Sequence, residues 1–187
     1  MVHTNNIAIV GDGFAAAVMV VHLLRQGIPA ASLSVFGTGE LGRGNAYQTS
    51  SPAYRLNVRE DLPTIFTEDP LHFARWAERT IKDSQAKNEA GFFYRRNDFG
   101  LYMKALLIAE LGPQKLKQIH ARVDRLRRDK EYWVLEYGHE SFNAKNVILA
   151  TGNASPRWPC PVDTEGASPD DISHPVMRLR YLRGKAI

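Results

Sequence analysis

Cysteine is almost absent from this chain of 187 residues, which contains only Cys160. A single thiol excludes an internal disulfide and leaves too few thiolates for a zinc or iron–sulfur site, as is usual in a reducing cytoplasm. The six histidines also lack the close spacing of metal ligands. We therefore expect a cytoplasmic protein without a metal site.

Long apolar runs are missing as well. The longest run, residues 14–24, is interrupted by His22 and is too short to span a bilayer. Residues 1–6 are polar and lack the basic start of a secretory signal. We expect no membrane association.

No sign of charge dominates, because 24 Lys and Arg stand against 20 Asp and Glu, with a net charge of +4. The basic residues are scattered, so no nucleic-acid partner is expected. The sequence also lacks the G-x-S-x-G elbow of many serine hydrolases. With 44% hydrophobic residues, the chain is expected to form one domain over residues 1–187.

The N-terminal segment predicts a βαβ unit. Residues 7–10 are continuously apolar and stop at Gly11, as in a central strand of a parallel sheet. A helix-compatible segment runs from Ala15 to a stop at Gly27, and residues 33–36 form a second strand. The spacing fits one right-handed crossover.

A loop layer and two helices are predicted next. Residues 37–62 are rich in Gly, Ser, Asn and Pro, and we expect an ordered loop layer there. One helix is predicted from Asp69 to about Gln85, with Pro70 in its first turn. A second is predicted from a cap at Asn97 or Asp98 to Gly112. Together they form a helical insertion over about residues 63–112.

The last third of the sequence predicts strands. Residues 118–123, 132–137 and 141–144 alternate or cluster as strands of an antiparallel ribbon. Residues 146–150 are apolar enough for the middle of the parallel sheet. The predicted fold class is therefore α/β, a three-layer Rossmann-like domain with a central parallel sheet, an antiparallel β-ribbon and a helical insertion.

One motif carries the chemistry. Residues 11–16 (GDGFAA) fit the dinucleotide fingerprint G-x-G-x-x-G/A, which must follow a strand and open a helix. Gly11 permits the tight turn, Gly13 lets the backbone approach a pyrophosphate, and Ala16 allows close packing of helix and strand. The N–H groups and the positive dipole end of the helix would hold the phosphates. A glycine turn that binds nothing is the alternative.

An acidic residue is missing where the fingerprint expects one. Roughly 20 positions after the glycines, at the end of the second strand, a carboxylate usually binds the ribose hydroxyls. The chain has Phe36 and Gly37 there. Glu40 follows three residues later, and it is either the replacement or a solvated loop carboxylate.

Several further motifs resemble those of one family. They are residues 41–47 (LGRGNAY), 56–58 (LNV), 95–102 (RRNDFGLY) and 147–153 (VILATGN). Together with the fingerprint, they resemble the FAD/NAD(P)-binding flavoproteins grouped with FAD-dependent urate hydroxylases, and more distantly the lysine and ornithine N-monooxygenases. The resemblance covers nearly the whole chain and implies a flavin-dependent oxidoreductase, monooxygenase-like, with FAD as its cofactor.

The resemblance also implies where FAD would lie. Its pyrophosphate would lie over residues 11–15, its flavin end near residues 44–47 and 56–58, and its adenine side near Val123. Tyr47 and Asn57 are the preferred flavin contacts, or they only order the loop. No catalytic residue is predicted. The cofactor-binding residues predicted in this way are Gly11, Asp12, Gly13, Phe14, Ala15, Glu40, Gly44, Ala46, Tyr47, Asn57, Val58, Val123, Ala150, Thr151 and Gly152.

Members of the resembled family use NADPH as reductant and continue into a second glycine-rich motif that binds it. This chain ends at Ile187, where the strand before that motif would begin, so we expect the NADPH-binding half to be absent and residues 170–187 to be a linker toward it. Self-association, or a partner that replaces this half, is the expected consequence. The substrate is an unidentified small molecule.

Two rival hypotheses remain at this point. The chain is either an enzyme, or a truncated nucleotide-binding module or remnant that turns nothing over by itself. A third hypothesis is an NAD(P)-binding Rossmann protein that uses the same glycine motif.

Overall fold

The structure, a computed structural model, describes residues 6–49 and 51–153. All elements below belong to the first of two compact units, Met1–Gly152. The predicted linker 170–187 lies outside the described residues. In the part of the chain that is described, no helix is both long and apolar enough to cross a membrane.

The described residues form nine strands and four α-helices, besides a short 3-10 turn. The strands are β1 (Ile7–Val10), β2 (Leu33–Phe36), β3 (Lys87–Asn88), β4 (Gly91–Phe92), β5 (Lys117–Ile119), β6 (Arg125–Asp129), β7 (Tyr132–Tyr137), β8 (Glu140–Ala144) and β9 (Asn146–Leu149). The helices are α1 (Phe14–Arg25), α2 (Gly44–Tyr47), α3 (His72–Thr80) and α4 (Arg96–Leu111).

A four-stranded parallel sheet forms the centre, with the strand order β5-β2-β1-β9. β1 pairs with β2 from Ile7↔Leu33 to Val10↔Phe36, and β9 pairs with the other side of β1. The predicted βαβ unit and the central position of β1 are confirmed, whereas β9, predicted for the middle of the sheet, is its edge strand. The carboxyl ends of β1, β2 and β9 therefore meet at one edge of the sheet.

The two faces of the sheet bury separate apolar clusters. Ile9 and Val35 belong to the larger cluster, which packs against α1 and α4. Ala8 and Phe36 point to the opposite face, where they pack against Leu135 of the ribbon. This alternation follows from the period of two along a strand. Helices, sheet and ribbon make the three layers that the sequence predicts.

Both insertion helices are confirmed, but their boundaries differ from the prediction. The helix expected from Asp69 to Gln85 is α3, which begins at His72 and ends at Thr80. Asp69 instead pairs with Arg75, and Asp83 accepts the Gln85 N–H at 3.0 Å, which forms a turn after the helix.

The second helix begins two residues earlier than the sequence indicates. Its N-cap is Arg95, and Asp98 lies one turn inside, where its carboxylate accepts the Arg95 N–H at 3.1 Å. The sequence predicts Asp98 as a possible N-cap because aspartate is a favourable N-cap residue. In the structure it acts from the N3 position instead.

The antiparallel ribbon is confirmed with one strand wrongly assigned. Its order is β6-β7-β8, and its first strand is Arg125–Asp129, not residues 118–123. The segment 117–119 is instead β5, which pairs parallel with β2 in the central sheet. β6 is mostly charged and exposed, so its sequence lacks the apolar alternation on which the prediction rested.

The described residues of the predicted loop layer, 37–49 and 51–62, contain one turn of helix, α2. Leu41 and Leu56 are buried in the larger cluster. Leu56 N–H donates to Tyr94 O at 2.9 Å, which fixes this loop to the segment before α4. Between α3 and α4, the strands β3 and β4 form a small antiparallel hairpin.

Candidate functional site

The glycine turn lies where three parallel strands end. Gly11 N–H donates to Phe36 O at 2.8 Å, which ties the turn to β2. Gly11 has φ +123°, and a Cβ built on it would lie 2.1 Å from Ala150 O and 3.3 Å from Thr151 N. Only glycine fits there, because both the backbone conformation and the space exclude a side chain. The predicted residues Gly11, Ala150 and Thr151 are thus brought together.

The N-terminus of α1 opens directly from this turn with free donors. The N–H groups of residues 12–16 have no hydrogen-bond partner among the described residues. Gly13 is the N-cap, and its lack of a side chain leaves the first turn uncapped. These donors and the helix dipole form a binding site for an anion.

Gly13 differs from Gly11 in what surrounds it. Its φ is −77°, which any residue can adopt. A Cβ built on Gly13 would have only Gly44 Cα nearby, at 3.9 Å. The space beside Gly13 is therefore open, as the approach of a pyrophosphate requires.

The second loop lies against the glycine turn. A Cβ built on Gly44, the first residue of α2, would lie 3.1 Å from Gly13 Cα. Phe14, Tyr47 and Phe99 form an aromatic cluster with ring centroids 5.0 to 5.6 Å apart. Burial raises the pKa of Tyr47, so its hydroxyl stays protonated at neutral pH. The structure thus brings Gly44 and Tyr47 to the glycine turn, whereas the family resemblance implies that they lie near the flavin end of FAD.

Glu40 contacts α4. Its carboxylate forms ion pairs with Lys104 Nζ at 2.8 Å and with Arg43 Nη1 at 3.4 Å. The hydrogen bond from Lys104 lowers the pKa of Glu40. Burial raises this pKa, but the hydrogen bond and charge of Arg43 lower it further, so the net shift is downward. Arg43 also donates to Asn97 on α4. Glu40 is therefore already paired with two cations.

Asp12 is the carboxylate that lies nearest to the end of β2. Its Oδ2 accepts the Gly39 N–H at 2.5 Å, and its backbone O accepts the Gly42 N–H at 2.8 Å. A narrow cleft is lined by Asp12, Gly37, Gly39 and the β5 end, including His120. The loop after β2 thus closes against the glycine turn through Asp12.

The other predicted site residues lie at the edges of this region. Ala15 and Ala46 are exposed on α1 and α2, and Thr151 and Gly152 are exposed after β9. Val123 is half-buried against the ribbon-side cluster that contains Phe36.

The flavin-side residues Asn57 and Val58 follow the buried Leu56 on the loop beside α4. Asn57 is exposed, and none of the contacts that the structure describes joins its side chain to the glycine turn.

Two arginines at the start of α4, Arg95 and Arg96, are engaged in structural contacts. Arg95 and Arg55 both face the Asp83 carboxylate, at 3.1 and 3.0 Å, and this carboxylate is only 2% exposed. Arg96 Nε donates to Arg55 O at 3.2 Å. Both side chains therefore contact groups within the protein.

Sequence reasoning missed Phe99, Gly100 and Arg43 as parts of the site. A Cβ built on Gly100 would lie 2.5 Å from Tyr47 O, so this glycine lets α2 approach α4. All three lie in the motifs 41–47 and 95–102, on which the family resemblance rests. Only their tertiary contacts show that they order the loop. In residues 6–49 and 51–153, no acidic, His or Cys side chains are grouped to hold a metal.

The fold matches that of several flavoenzymes of known structure. They include OTEMO in complex with FAD and NADP (17% identity, TM-score 0.57, covering 83% of this chain and 27% of that one). A flavin monooxygenase from Stenotrophomonas maltophilia is 16% identical with a TM-score of 0.54, and the match covers 82% of this chain and 40% of that one. The bacillithiol disulfide reductase of Bacillus cereus is 18% identical with a TM-score of 0.52, and the match covers 79% of this chain and 40% of that one. These likenesses confirm the predicted Rossmann-like FAD-binding fold.

The chain spans only part of the proteins it resembles, between 27% and 40% of the three solved structures above. A comparison with curated proteins finds no match.

The sequence itself matches one protein family, described as FAD-NAD(P)-binding, over residues 8–154. This range begins in β1, includes the glycine turn and both insertion helices, and ends just after β9. It covers most of the chain and every contact of the candidate site. The chain therefore belongs to the FAD-NAD(P)-binding family.

Proposed function

We propose that this chain binds FAD at the glycine turn and acts as the FAD-binding part of a flavin-dependent oxidoreductase. The observation that carries the proposal is the row of unpartnered N–H groups at residues 12–16, beside a glycine with open space. An anion needs such donors, and the dinucleotide fingerprint supplies a pyrophosphate.

The chain's residues fit this cofactor. The N–H groups at the start of α1 would donate to the pyrophosphate, and Gly13 would leave room for it. Gly44 and Tyr47 lie against the same turn, so α2 would exclude water from one side of the phosphates. Ala150 and Thr151, which abut Gly11, would border the other side.

Bound FAD would supply electron transfer between a reductant, such as NADPH, and oxygen or another acceptor. The protein's part would be binding, orientation and exclusion of water. Support for the oxidoreductase class comes from the fold likeness to a flavin monooxygenase and a disulfide reductase. The match covers 40% of each of these two proteins, so an activity of this kind is part of the proposal.

A finer placement near the FAD-dependent urate hydroxylases is part of the proposal. It rests on residues 41–47 and 95–102, whose side chains Arg43 and Asn97 contact each other and so join α2 to α4. In this view the two motifs form one unit that orders the loop over the cofactor. A small-molecule substrate, and self-association or a protein partner, also belong to the proposal.

The decisive experiment compares FAD binding by the wild type and by Gly13→Ala, followed by flavin fluorescence and by the spectrum retained after gel filtration. Gly13→Ala should fold normally, because its φ suits alanine and its Cβ has room. It should bind FAD at least tenfold more weakly, because the methyl group occupies the approach of the pyrophosphate.

Ser141→Ala, an exposed position in the ribbon, is the matched control and should bind FAD like the wild type. Absence of FAD binding by the folded wild type would refute the proposal. Tighter binding of NADH or NADPH than of FAD would favour the nicotinamide-binding alternative.

Turnover is tested separately, by following NADPH oxidation in the presence of FAD and oxygen. Steady oxidation that depends on the chain would establish an oxidoreductase. FAD binding without any oxidation, with a range of chemical reductants and acceptors, would favour the truncated binding module.

A further inference from the structure

The end of β2 lacks the acid that a dinucleotide fold uses to bind ribose. β2 ends at Phe36, and Gly37 follows it at the carboxyl edge of the sheet. Gly37 N–H donates to Ile119 O at 3.2 Å, so the backbone here is ordered between β2 and β5. Residue 37 therefore lies where the ribose-binding acid of a dinucleotide fold usually lies, but as a glycine it has no side chain.

A carboxylate from another position fills that space. A Cβ built on Gly37 would lie 2.4 Å from both Cβ and Oδ2 of Asp12, and 2.5 Å from its Cγ. Real Cβ atoms do not approach other heavy atoms so closely. The Asp12 side chain thus starts where a side chain of residue 37 would start, and the two exclude each other.

The carboxylate of Asp12 keeps capacity for a ligand. Its Oδ2 accepts the Gly39 N–H, and no other hydrogen bond or ion pair reaches its side chain from the described residues. Asp12 is half-buried and lines the cleft with Gly37, Gly39 and His120. An ionised carboxylate accepts up to about four hydrogen bonds, so the described contacts leave acceptor capacity on Asp12, including on Oδ1.

The alternative carboxylate is already engaged. Glu40 is paired with Lys104 and Arg43, and no described contact joins it to Gly37. Asp12 lies beside Gly37 with a single backbone partner, whereas Glu40 is held toward α4 by two cations. This difference separates the two candidates on geometry alone.

We infer that Asp12, inside the glycine turn, is the carboxylate that accepts hydrogen bonds from the adenosine ribose hydroxyls of the bound dinucleotide. The inference rests on the proposed function, since it names the ribose contact of the same site. It assigns to the second position of the fingerprint the role that normally falls to the end of β2. One residue would then serve both the turn and the ribose.

The test measures the affinity of the full chain for FAD and for FAD that lacks the 2′-hydroxyl of the adenosine ribose. Wild type should prefer FAD, and Asp12→Ala should bind FAD about tenfold more weakly while losing the preference. Asp12→Asn keeps an oxygen for the Gly39 N–H, so it separates loop bracing from ribose binding. It should fold like wild type and show a reduced preference.

Asp12→Gly combined with Gly37→Glu transfers the acid to its usual position and should restore the preference for FAD. Glu40→Gln is the control and should leave the preference intact. Thermal melts without ligand check that each variant folds.

An Asp12→Ala or Asp12→Asn variant that retains the full preference overturns the inference, as does a preference lost in Glu40→Gln. Weaker binding of both ligands by an equal factor would make Asp12 a loop brace only, which also overturns it. Wild type that binds neither ligand refutes the proposed function itself. The two failures are therefore distinct.

Discussion

A single methyl group would have opposite consequences at the two glycines of the turn. At Gly11 it would meet the backbone of Ala150 at 2.1 Å, whereas at Gly13 it would meet nothing closer than 3.9 Å. The fingerprint predicts both glycines and the tight turn at Gly11. It does not predict that Ala150, far away in the sequence, is the neighbour that makes Gly11 obligatory.

Gly100 offers a prediction at this scale. Glycine within a helix usually destabilises it, so alanine would be expected to stabilise α4 by about 1 kcal/mol. We expect the reverse for Gly100→Ala, a loss of about 2 kcal/mol in the free energy of unfolding, because its Cβ would lie 2.5 Å from Tyr47 O. Urea denaturation measures the change.

Ala109→Gly is the matched control in the same helix. Ala109 is exposed, so this change should cost about 1 kcal/mol through helix propensity alone. If Gly100→Ala were stabilising by the same amount, the close packing of α2 on α4 would be wrong.

At the scale of elements, a buried ion pair holds α4 to the loop before it. Asp83 follows α3 and lies within 3.1 Å of Arg55 and Arg95, and Arg95 is the N-cap of α4. Burial raises the pKa of Asp83, but the hydrogen bonds from Arg55 and from the Gln85 N–H, with the charges of both arginines, outweigh it and lower the pKa. One carboxylate thus joins three segments.

This pKa shift has a defined sign. A carboxyl whose folded pKa is depressed contributes stability above its unfolded pKa, near 3.8, and loses it as the pH falls through the folded pKa. We expect Asp83→Asn to cost about 2 kcal/mol at pH 7. We also expect the difference from wild type to shrink below pH 4, which urea titrations at several pH values would measure.

Asp61→Asn is the control, because Asp61 forms an exposed pair with Arg59. It should change stability by less than about 1 kcal/mol at any pH. An Asp83→Asn variant with a pH-independent loss would contradict the assigned role of the charge.

The strands show where sequence reasoning succeeds and where it stops. β1 and β2 have buried residues on both faces of the sheet, so their apolar runs predict them directly. The apolar run of β9 also predicts a strand, but β9 lies at the edge of the sheet and Leu149 is 64% exposed. β6, with the sequence RLRRD, lies at the edge of the ribbon, and only Leu126 packs against the core. β6 is a strand because it pairs with β7. The residues of β6 alone do not predict this pairing.

The same limit applies to the helices and to the site. The amphipathic pattern predicts that α3 and α4 exist, but Asp69 and Asp98 form side-chain contacts that shift the helix starts. In the site, the glycine motif predicts the anion-binding turn. The position of Asp12 beside Gly37 depends on how two distant loops meet, so no local pattern predicts it.

For the molecule as a whole, the ribbon is part of the core. Leu135 in the middle of β7 is fully buried and packs with Phe36 of the central sheet, which also contacts the rings of Tyr137 and Phe142. The ribbon therefore covers one face of the only parallel sheet among the described residues. Loss of its packing should destabilise the sheet as well.

Leu135→Ala should accordingly lower the free energy of unfolding by about 3 kcal/mol. The loss should appear equally in the far-ultraviolet circular dichroism of the helices and in the hydrogen exchange of β7, because one cooperative unit unfolds. Ile108→Ala, at a position 63% exposed on α4, should change stability by less than about 0.5 kcal/mol. Rapid exchange confined to the ribbon would show that it unfolds independently.

The mutual exclusion of Asp12 and a side chain at residue 37 restricts the order in which the two positions can change. Glutamate at 37 would clash with Asp12 and would place two negative charges together, so that step is blocked while Asp12 remains. Replacement of Asp12 by glycine removes the block and makes the second step permissible. We therefore expect sign epistasis, in which Gly37→Glu is tolerated only after Asp12→Gly, so that only one order of the two changes moves the acid to the end of β2.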